Sequence, residues 1–314
     1  MATALAKVTG APGRRTPRRA RGGRGDHGPA RRWAGAALTG PVWILLAAVI
    51  LAPLAVAIYT SLTSDNLAAA GSLTHFTGGQ NYRSQVLAGS FWHSAGITVI
   101  IMLGSMLVQI PAGYVLARAL LHPLRGRTAF RAVIALPMML TPVAVGLMWR
   151  FFADPDLGVI RAIAAGLHAS SDPNLLGTPG EALALIVIVN SWINIPFVTL
   201  VLLAGMIGID QELFEAAAVD GAGWFRIERR ITIPMLGPAL TACCVLRMAA
   251  DYRMFDLVYT ITQGGPGTST LNLSMLAYQQ SMVYFQIGRA CAIAVAMAVL
   301  ALPAYWLFAK VTRA

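Results

Sequence analysis

The polar side chains best suited to chemistry in this sequence lie within two apolar runs. Asn190 and Asn194 are four residues apart in one run, and Arg247 and Asp251 have the same spacing in the other. Since residues four apart lie on one face of a helix, each pair is expected to present its polar groups together. Amide, guanidinium and carboxylate groups can donate and accept hydrogen bonds, which suits a solute rich in hydroxyl groups. The pattern predicts a binding surface inside apolar helices.

Apolar residues beside the asparagines favour a sugar as that solute. Ile193 and Phe197 lie on the same stretch as Asn190 and Asn194. A sugar has faces that are partly hydroxyl and partly C–H, so amide, aliphatic and aromatic groups together match both kinds of surface. We therefore predict substrate contacts from this stretch and from the Arg247 and Asp251 face.

Two other interpretations of the charged residues stay open. The Arg247 guanidinium would also suit a phosphate-bearing solute such as glycerol phosphate. Alternatively, Arg247 with Asp251, and Arg253 with Asp256 three residues apart, could be intrahelical ion pairs that only neutralise charges inside a membrane.

The sequence carries no set of residues that predicts catalysis. Its five histidines and three cysteines show no metal-ligand spacing. A phosphate-binding loop needs Gly-Lys followed by Ser or Thr, but the only lysines are Lys7 after Ala6 and Lys310 after Ala309. We predict that the chain is not an enzyme, with no catalytic residue, no metal site and no cofactor of its own.

The composition predicts an integral membrane protein. Hydrophobic residues make up 57% of the chain and charged residues 12%, whereas soluble domains have about 45 to 50% and 25%. Apolar runs near or above the length that crosses a bilayer predict an all-α, multi-pass fold. The six predicted membrane helices are residues 42–62, 94–117, 132–149, 182–209, 234–260 and 290–309.

The first 40 residues differ from the rest and predict a disordered basic cytosolic tail preceding a transmembrane domain, 41–314. This tail holds Lys7 and eight arginines against Asp26 alone, so it contributes +8 of the net charge of +11. A basic arm before a membrane span is expected to lie against anionic lipid and fix orientation, so we predict no nucleic-acid partner. If both termini are cytoplasmic, basic residues concentrate on the cytosolic side of the membrane. These residues are Arg118, Arg125, Arg127, Arg131, Arg226, Arg229, Arg230, Lys310 and Arg313.

Residues 210–238 are a charged stretch between two apolar runs and predict a helical hairpin. Asp210 is a typical N-cap residue, and Gly221 permits the positive φ that ends a helix. A second helical piece is expected over 224–233, with its charged side chains, including Glu228, in polar surroundings. Small side chains allow another protein to approach closely, and acidic ones offer it ionic partners. The predicted docking surface consists of Glu215, Ala216, Ala217, Asp220 and Gly221.

The spacing within this hairpin resembles a motif of bacterial ABC importer permeases, written EAA-x3-G-x9-I-x-L-P. It matches Glu215-Ala216-Ala217, Gly221 and residues 231–234, with Ile233 in place of the usual leucine, a substitution that conserves volume. Other stretches are similar to the sugar-importer branch, in particular to the maltose-type larger permease subunit. These stretches are residues 81–98, 135–152, 190–197 and 246–267.

The resemblance implies a fold, a location and a set of partners. The fold would be the type I ABC importer permease, with six membrane helices in the cell membrane and a cytosolic coupling helix within 210–234. The partners would be a second related permease subunit, an ATPase dimer that binds ATP and Mg²⁺, and an extracytoplasmic sugar-binding protein or lipoprotein.

The resemblance also implies a function, the import of a carbohydrate through a pathway of which this chain forms half. In relatives of this type the asparagine-containing turn and the polar turn of the next span contact the sugar. Carried over by position, the expected contacts are Asn190, Ile193, Asn194, Phe197, Arg247 and Asp251. A permease for a phosphate ester or polyol is the alternative, and a stand-alone secondary transporter is a further one.

Overall fold

The structure, a computed structural model, describes residues 29–64, 75–121, 126–166 and 174–311. Within these ranges the regular structure is helical, and the strand-like pairing is a single bridge between Thr63 and Phe76. The helices of the first part are α1 (Pro29–Ser61), α2 (Gln80–Gln85), α3 (Gly89–Leu121), α4 (Arg127–Met139), α5 (Pro142–Phe152), α6 (Val159–Gly166) and α7 (Pro179–Ile207).

The second part begins with the hairpin and contains two π-helical turns. Its helices are α8 (Gln211–Val219), α9 (Trp224–Ile227), a π-helical turn (Glu228–Thr232), α10 (Ile233–Met235), α11 (Gly237–Tyr252), α12 (Asp256–Ile261), α13 (Leu273–Tyr278), a second π-helical turn (Gln279–Val283) and α14 (Ile287–Val311).

The predicted disordered tail lies mostly outside the described residues, which begin at 29. Residues 29–40 start α1, so the prediction of disorder is wrong for them. Proline fits the first position of a helix, and the alanines that follow Pro29 have the highest helix propensity. By its internal contacts the chain divides into two units at residue 53, and the cavity and the hairpin described below belong to the second, residues 54–314.

Among the described residues, three helices are long and apolar enough to cross a membrane: Thr39–Ser61, Gly89–Leu121 and Pro179–Ile207. Two further apolar segments are bent pairs of helices. Ala129–Met139 and Pro142–Phe152 meet at 90°, and Trp224–Met235 and Gly237–Tyr252 meet at 64°. Near the carboxyl end, Ile287–Pro303 is an apolar helix that is shorter than these three, counting only the residues whose side chains are described.

The 90° break has a local cause in the backbone before Pro142. Proline disfavours the helical region for the residue that precedes it, and Thr141 is accordingly extended, with φ −71° and ψ 135°. Leu140 is extended as well, so two successive residues leave the helical path. The predicted continuous helix over 132–149 is therefore wrong.

A second difference concerns the charged run after α11. This helix ends at Tyr252, and Arg253 caps it, whereas Asp256 opens α12. Arg253 and Asp256 consequently do not share a helix, so the alternative of an intrahelical ion pair between them is wrong.

Helices α3 and α7 pack along each other and form the centre of the second unit. Ile101 and Ile186 are fully buried toward one end of the pair, and Leu120 and Leu202 toward the other. Gly113 allows the close approach, because a Cβ atom there would lie 2.5 Å from Cγ1 of Val198. The two helices therefore have little room to slide past each other.

The connection between α12 and α14 folds back against α3. Leu271, Leu273 and Met275 are buried in the same apolar cluster as Ile101. The hydroxyl of Thr98 accepts a hydrogen bond from the Leu273 amide at 3.0 Å. This segment thus closes one end of the helical core.

Candidate functional site

A cavity of about 270 Å³ lies where α7, α11 and the start of α12 meet. Five of the six predicted substrate contacts line it: Asn190, Ile193, Asn194, Arg247 and Asp251. The i, i+4 spacing on two neighbouring helices brings these side chains together, as expected for residues on facing helical stripes.

The polar lining residues are joined by hydrogen bonds. Asn190 Nδ2 donates to Asp251 Oδ1 at 2.9 Å, and Asn194 Nδ2 donates to Asn190 Oδ1 at 2.9 Å. Arg247 Nη1 donates to Asn194 Oδ1 at 2.8 Å, and its Nη2 donates to Asp251 Oδ1. The four side chains form one connected network with a fixed orientation.

Helix α3 contributes two members of this network that were not predicted from the sequence. Gln109 Oε1 accepts from Arg247 Nε at 2.9 Å, and Ser105 Oγ accepts from Asn190 Nδ2 at 2.9 Å. Both residues are fully buried. Their spacing of four residues inside an uncharged apolar run is the sequence signal that marks them.

The two charges of the network neutralise each other. The side chains of Arg247 and Asp251 are 8% and 1% exposed, so water does not solvate the pair. Each charge therefore needs the opposite charge of its partner. All three guanidinium nitrogens of Arg247 have acceptors in the network. The cavity also meets Arg253 and Asp256 at its edge, one charge of each sign. The charged groups of the lining balance, so the cavity has no surplus of positive charge.

One wall of the cavity is apolar and partly aromatic. Ile193 and Phe255 line it, and Phe255 stacks on Tyr259 with ring centroids 5.2 Å apart and an angle of 22°. Tyr278 closes against both rings. Phe255 was not predicted from the sequence, because it lies in the irregular segment between α11 and α12.

Phe197, the sixth predicted contact, does not line this cavity. It lies seven residues beyond Asn190, which is about 10 Å further along the helix axis. There it packs against an apolar cluster that includes Val198 and Leu202. Its helical face is the expected one, but its height along α7 is not.

The hairpin that begins at residue 210 has the predicted local structure. Asp210 caps α8, and its carboxylate accepts from the Glu212 amide at 3.2 Å. Gly221 has φ +67°, and the amide of Ala222 donates to the carbonyl of Ala217 at 2.9 Å, which closes the helix end. The cap and the positive φ are confirmed.

The predicted docking residues lie on the outside of this hairpin. Glu215, Ala216, Asp220 and Gly221 are exposed, and Ala217 is half-buried. Large apolar side chains are exposed beside them, with Val219 at 88%, Trp224 at 65% and Phe225 at 69%. Such a cluster of exposed apolar groups next to small and acidic residues is typical of a protein-binding surface.

Glu228 is a correction to the sequence analysis, which placed it in polar surroundings. It is 4% exposed and points toward α3. Its Oε1 accepts from Arg118 Nε at 2.5 Å, and its Oε2 accepts from the Tyr114 hydroxyl. The adjacent Arg229 and Arg230 are exposed, so this turn of the hairpin has one buried acidic side chain beside two exposed basic ones.

Comparison with known proteins gives a family match over most of the chain. Residues 109–314 match the family described as the binding-protein-dependent transport system inner membrane component. A probable ABC transporter permease protein of Sinorhizobium fredii is 33% identical over 255 residues, which cover 81% of this chain and 82% of that protein.

A second relative and a solved structure agree with this match. The trehalose/maltose transport system permease protein of Thermococcus litoralis is 36% identical over 213 residues, 68% of this chain and 70% of that protein. A chain of a bacterial ABC transporter involved in the import of the acidic polysaccharide alginate superimposes with a TM-score of 0.76 at 19% identity, covering 90% of this chain and 98% of that one. The second likeness concerns the fold alone.

Proposed function

Since the chain belongs to the family of binding-protein-dependent transport system inner membrane components, we propose that it is a permease subunit of an ATP-driven importer for a carbohydrate. The observation that carries the proposal is the cavity between α7, α11 and α12, in which a connected polar network faces an apolar, partly aromatic wall. Amides, a carboxylate and a guanidinium match hydroxyl groups, and Ile193 and Phe255 match the C–H faces of a sugar ring. The trehalose/maltose specificity stated for the Thermococcus litoralis relative supports the same solute class.

The charge balance of the site argues for a neutral sugar over a phosphate ester. Binding a phosphate dianion requires donors that are not already matched by a carboxylate. Arg247 is matched by Asp251, and Arg253 lies at the same cavity as Asp256. A neutral polyhydroxylated solute needs no net charge in the site, so the proposal names a neutral carbohydrate.

The topology we propose has six membrane helices and both termini in the cytoplasm. The helices would be the three long ones, the two bent pairs and α14. The hairpin would then lie in the cytosol, where Glu215, Ala216, Ala217, Asp220 and Gly221 contact an ATPase subunit. The basic residues of the sequence favour this orientation.

The family to which the chain belongs supports the partners that we propose. A second, related permease would complete the pathway, a dimer of ATPase subunits would bind ATP and Mg²⁺, and an extracytoplasmic binding protein would deliver the sugar. In this scheme closure of the ATPase dimer displaces the hairpin, and the helices around the cavity change from facing inward to facing outward.

Uptake by reconstituted vesicles tests the proposal. The complex is purified through a tag on this chain, placed in proteoliposomes with its binding protein, and assayed for ATP-dependent uptake of labelled trehalose, maltose and glycerol 3-phosphate. Asn190→Leu removes the central amide, and Thr199→Val on the same helix is the matched control, because the Thr199 hydroxyl bonds only locally to the Ile195 carbonyl among the described residues.

We expect sugar uptake by the unaltered complex and a loss of about tenfold or more in Asn190→Leu, the equivalent of one or two hydrogen bonds to a charged or polar partner. Thr199→Val is expected to match the unaltered complex. Uptake of glycerol 3-phosphate without sugar uptake would overturn the assignment of solute class, and ATP-independent uptake would overturn the importer itself.

A further inference from the structure

The carboxylate of Glu228 fixes the hairpin to the end of α3. Both of its oxygens are engaged, one by Arg118 Nε at 2.5 Å and the other by the Tyr114 hydroxyl. The side chain is 6% exposed, whereas that of Arg118, in the last turn of α3, is 24% exposed. This contact joins the exposed docking surface to a helix of the membrane domain.

The π-helical turn aims Glu228 at α3. It spans Glu228–Thr232, and its two end residues are buried while Arg229 and Arg230 between them are exposed. A π-helical turn contains more residues than an α-helical one, so it changes which residues of the segment face inward. The unusual backbone therefore coincides with the residue that makes the contact.

The same helix that receives Glu228 also reaches the cavity. Gln109 and Ser105 of α3 belong to the cavity network. Arg118 follows Gln109 by nine residues, so the two contacts lie about 13 Å apart along one helix. Because Gly113 packs without clearance against Val198, α3 is expected to move together with α7.

We propose that Glu228, Arg118 and Tyr114 form the joint through which displacement of the hairpin moves α3 and thereby the cavity; this inference rests on the proposed function. The three are positioning residues, since none of them lines the cavity. A buried ion pair contributes little stability compared with apolar residues of similar volume. What the pair adds is a fixed orientation of the Glu228 side chain relative to α3, because its carboxylate is held from two sides.

The number of ATP molecules hydrolysed per sugar imported tests whether this joint couples ATP hydrolysis to transport. Arg118→Met removes the charge partner of Glu228, Tyr114→Phe removes a single hydroxyl, and the exchange of charges in Arg118→Glu with Glu228→Arg restores an ion pair. Glu181→Gln is the control, since Glu181 is an exposed carboxylate in the first turn of α7, away from hairpin and cavity.

We expect Arg118→Met to raise the ATP hydrolysed per sugar about tenfold, the effect of one lost charge-assisted contact, and Tyr114→Phe to raise it about threefold. The charge exchange is expected to return the ratio most of the way, and Glu181→Gln to leave it unchanged. Tyr114→Phe is a small change that keeps the ring, so it also tests the joint if Arg118→Met does not assemble.

A purely structural role would lower hydrolysis and uptake in proportion and leave their ratio unchanged. An unchanged ratio in Tyr114→Phe, or in an assembled Arg118→Met complex, would overturn the joint. A charge exchange that rescues assembly but leaves the ratio raised would overturn the assignment to this ion pair.

A second readout separates this inference from the proposed function. A cysteine at Ala250, which lines the cavity, reports its accessibility to a maleimide with and without ATP. We expect an ATP-dependent change in the otherwise unaltered complex and its loss in Tyr114→Phe and Arg118→Met. An unaltered complex that hydrolyses ATP and shows the accessibility change but imports no sugar would overturn the solute assignment alone. Retention of the accessibility change in both variants would overturn the joint.

Discussion

Replacing Arg247 and Asp251 separately and together distinguishes an ion pair that serves only the fold from one that serves the substrate. Both side chains are buried and in contact, so either single change leaves an unmatched charge in a desolvated site. Removing one partner of a buried pair costs about 3 to 5 kcal/mol. Arg247→Met and Asp251→Leu are therefore each expected to lower the free energy of unfolding by that amount.

The double variant is expected to cost far less than the sum of the two single changes. It removes both charges, and its main remaining defect is the amide oxygen of Gln109, which loses its donor Arg247 in a fully buried position. An unsatisfied buried acceptor costs about 1 to 3 kcal/mol. The two single variants would sum to about 6 to 10 kcal/mol, so the coupling free energy is several kcal/mol.

Two assays on the same preparations complete the experiment. Unfolding in mixed micelles with increasing sodium dodecyl sulfate gives the free energies, and uptake by proteoliposomes gives the transport rate. We expect the double variant to regain most of the stability but to lose about 10- to 150-fold in uptake at low sugar concentration, the equivalent of 1.5 to 3 kcal/mol for a charge-assisted hydrogen bond. A stable double variant with unaltered uptake would refute the substrate role, and additive single costs would refute the pairing.

Three further substitutions test the packing and the hairpin. Gly146→Ala is expected to destabilise the contact of α5 with α12 by about 1 to 3 kcal/mol, because the added methyl group would overlap the Thr260 hydroxyl; Thr260→Ala in the same chain should recover part of the loss in the unfolding assay. Gly221→Val places a branched side chain at φ +67° and is expected to strain the hairpin by about 1 to 2 kcal/mol. We expect this variant to abolish copurification of the ATPase. An unaltered yield of ATPase would contradict the docking role. Thr98→Val removes the acceptor of the Leu273 amide and is expected to cost about 1 to 3 kcal/mol, with faster hydrogen exchange at that amide as the direct readout.

Local chemistry explains why the hairpin could be predicted in detail. An aspartate at the start of a helix and a glycine at its end act on their own backbone neighbours, and both were found as expected at Asp210 and Gly221. The spacing of Asn190 with Asn194, and of Arg247 with Asp251, likewise depends only on helix geometry. These features therefore follow from short stretches of sequence.

Features that depend on distant contacts could not be predicted in the same way. The burial of Glu228 depends on Tyr114 and Arg118, more than a hundred residues earlier. Ser105 and Gln109 join the cavity only because α3 packs on α7 at a particular height. The same dependence on height along the helix explains why Phe197 misses the cavity.

Cross-linking from the hairpin tests the central claim most directly. A cysteine at Ala216, in a chain whose three natural cysteines are replaced by alanine, is treated with a short bifunctional maleimide in the purified complex. The proposed function requires a covalent product with the ATPase subunit that forms at Ala216 but not at a control cysteine on the opposite end of the domain, Gln85→Cys. A product at neither position, or a cysteine at 216 that reacts with a membrane-impermeant reagent in intact cells, would contradict the account.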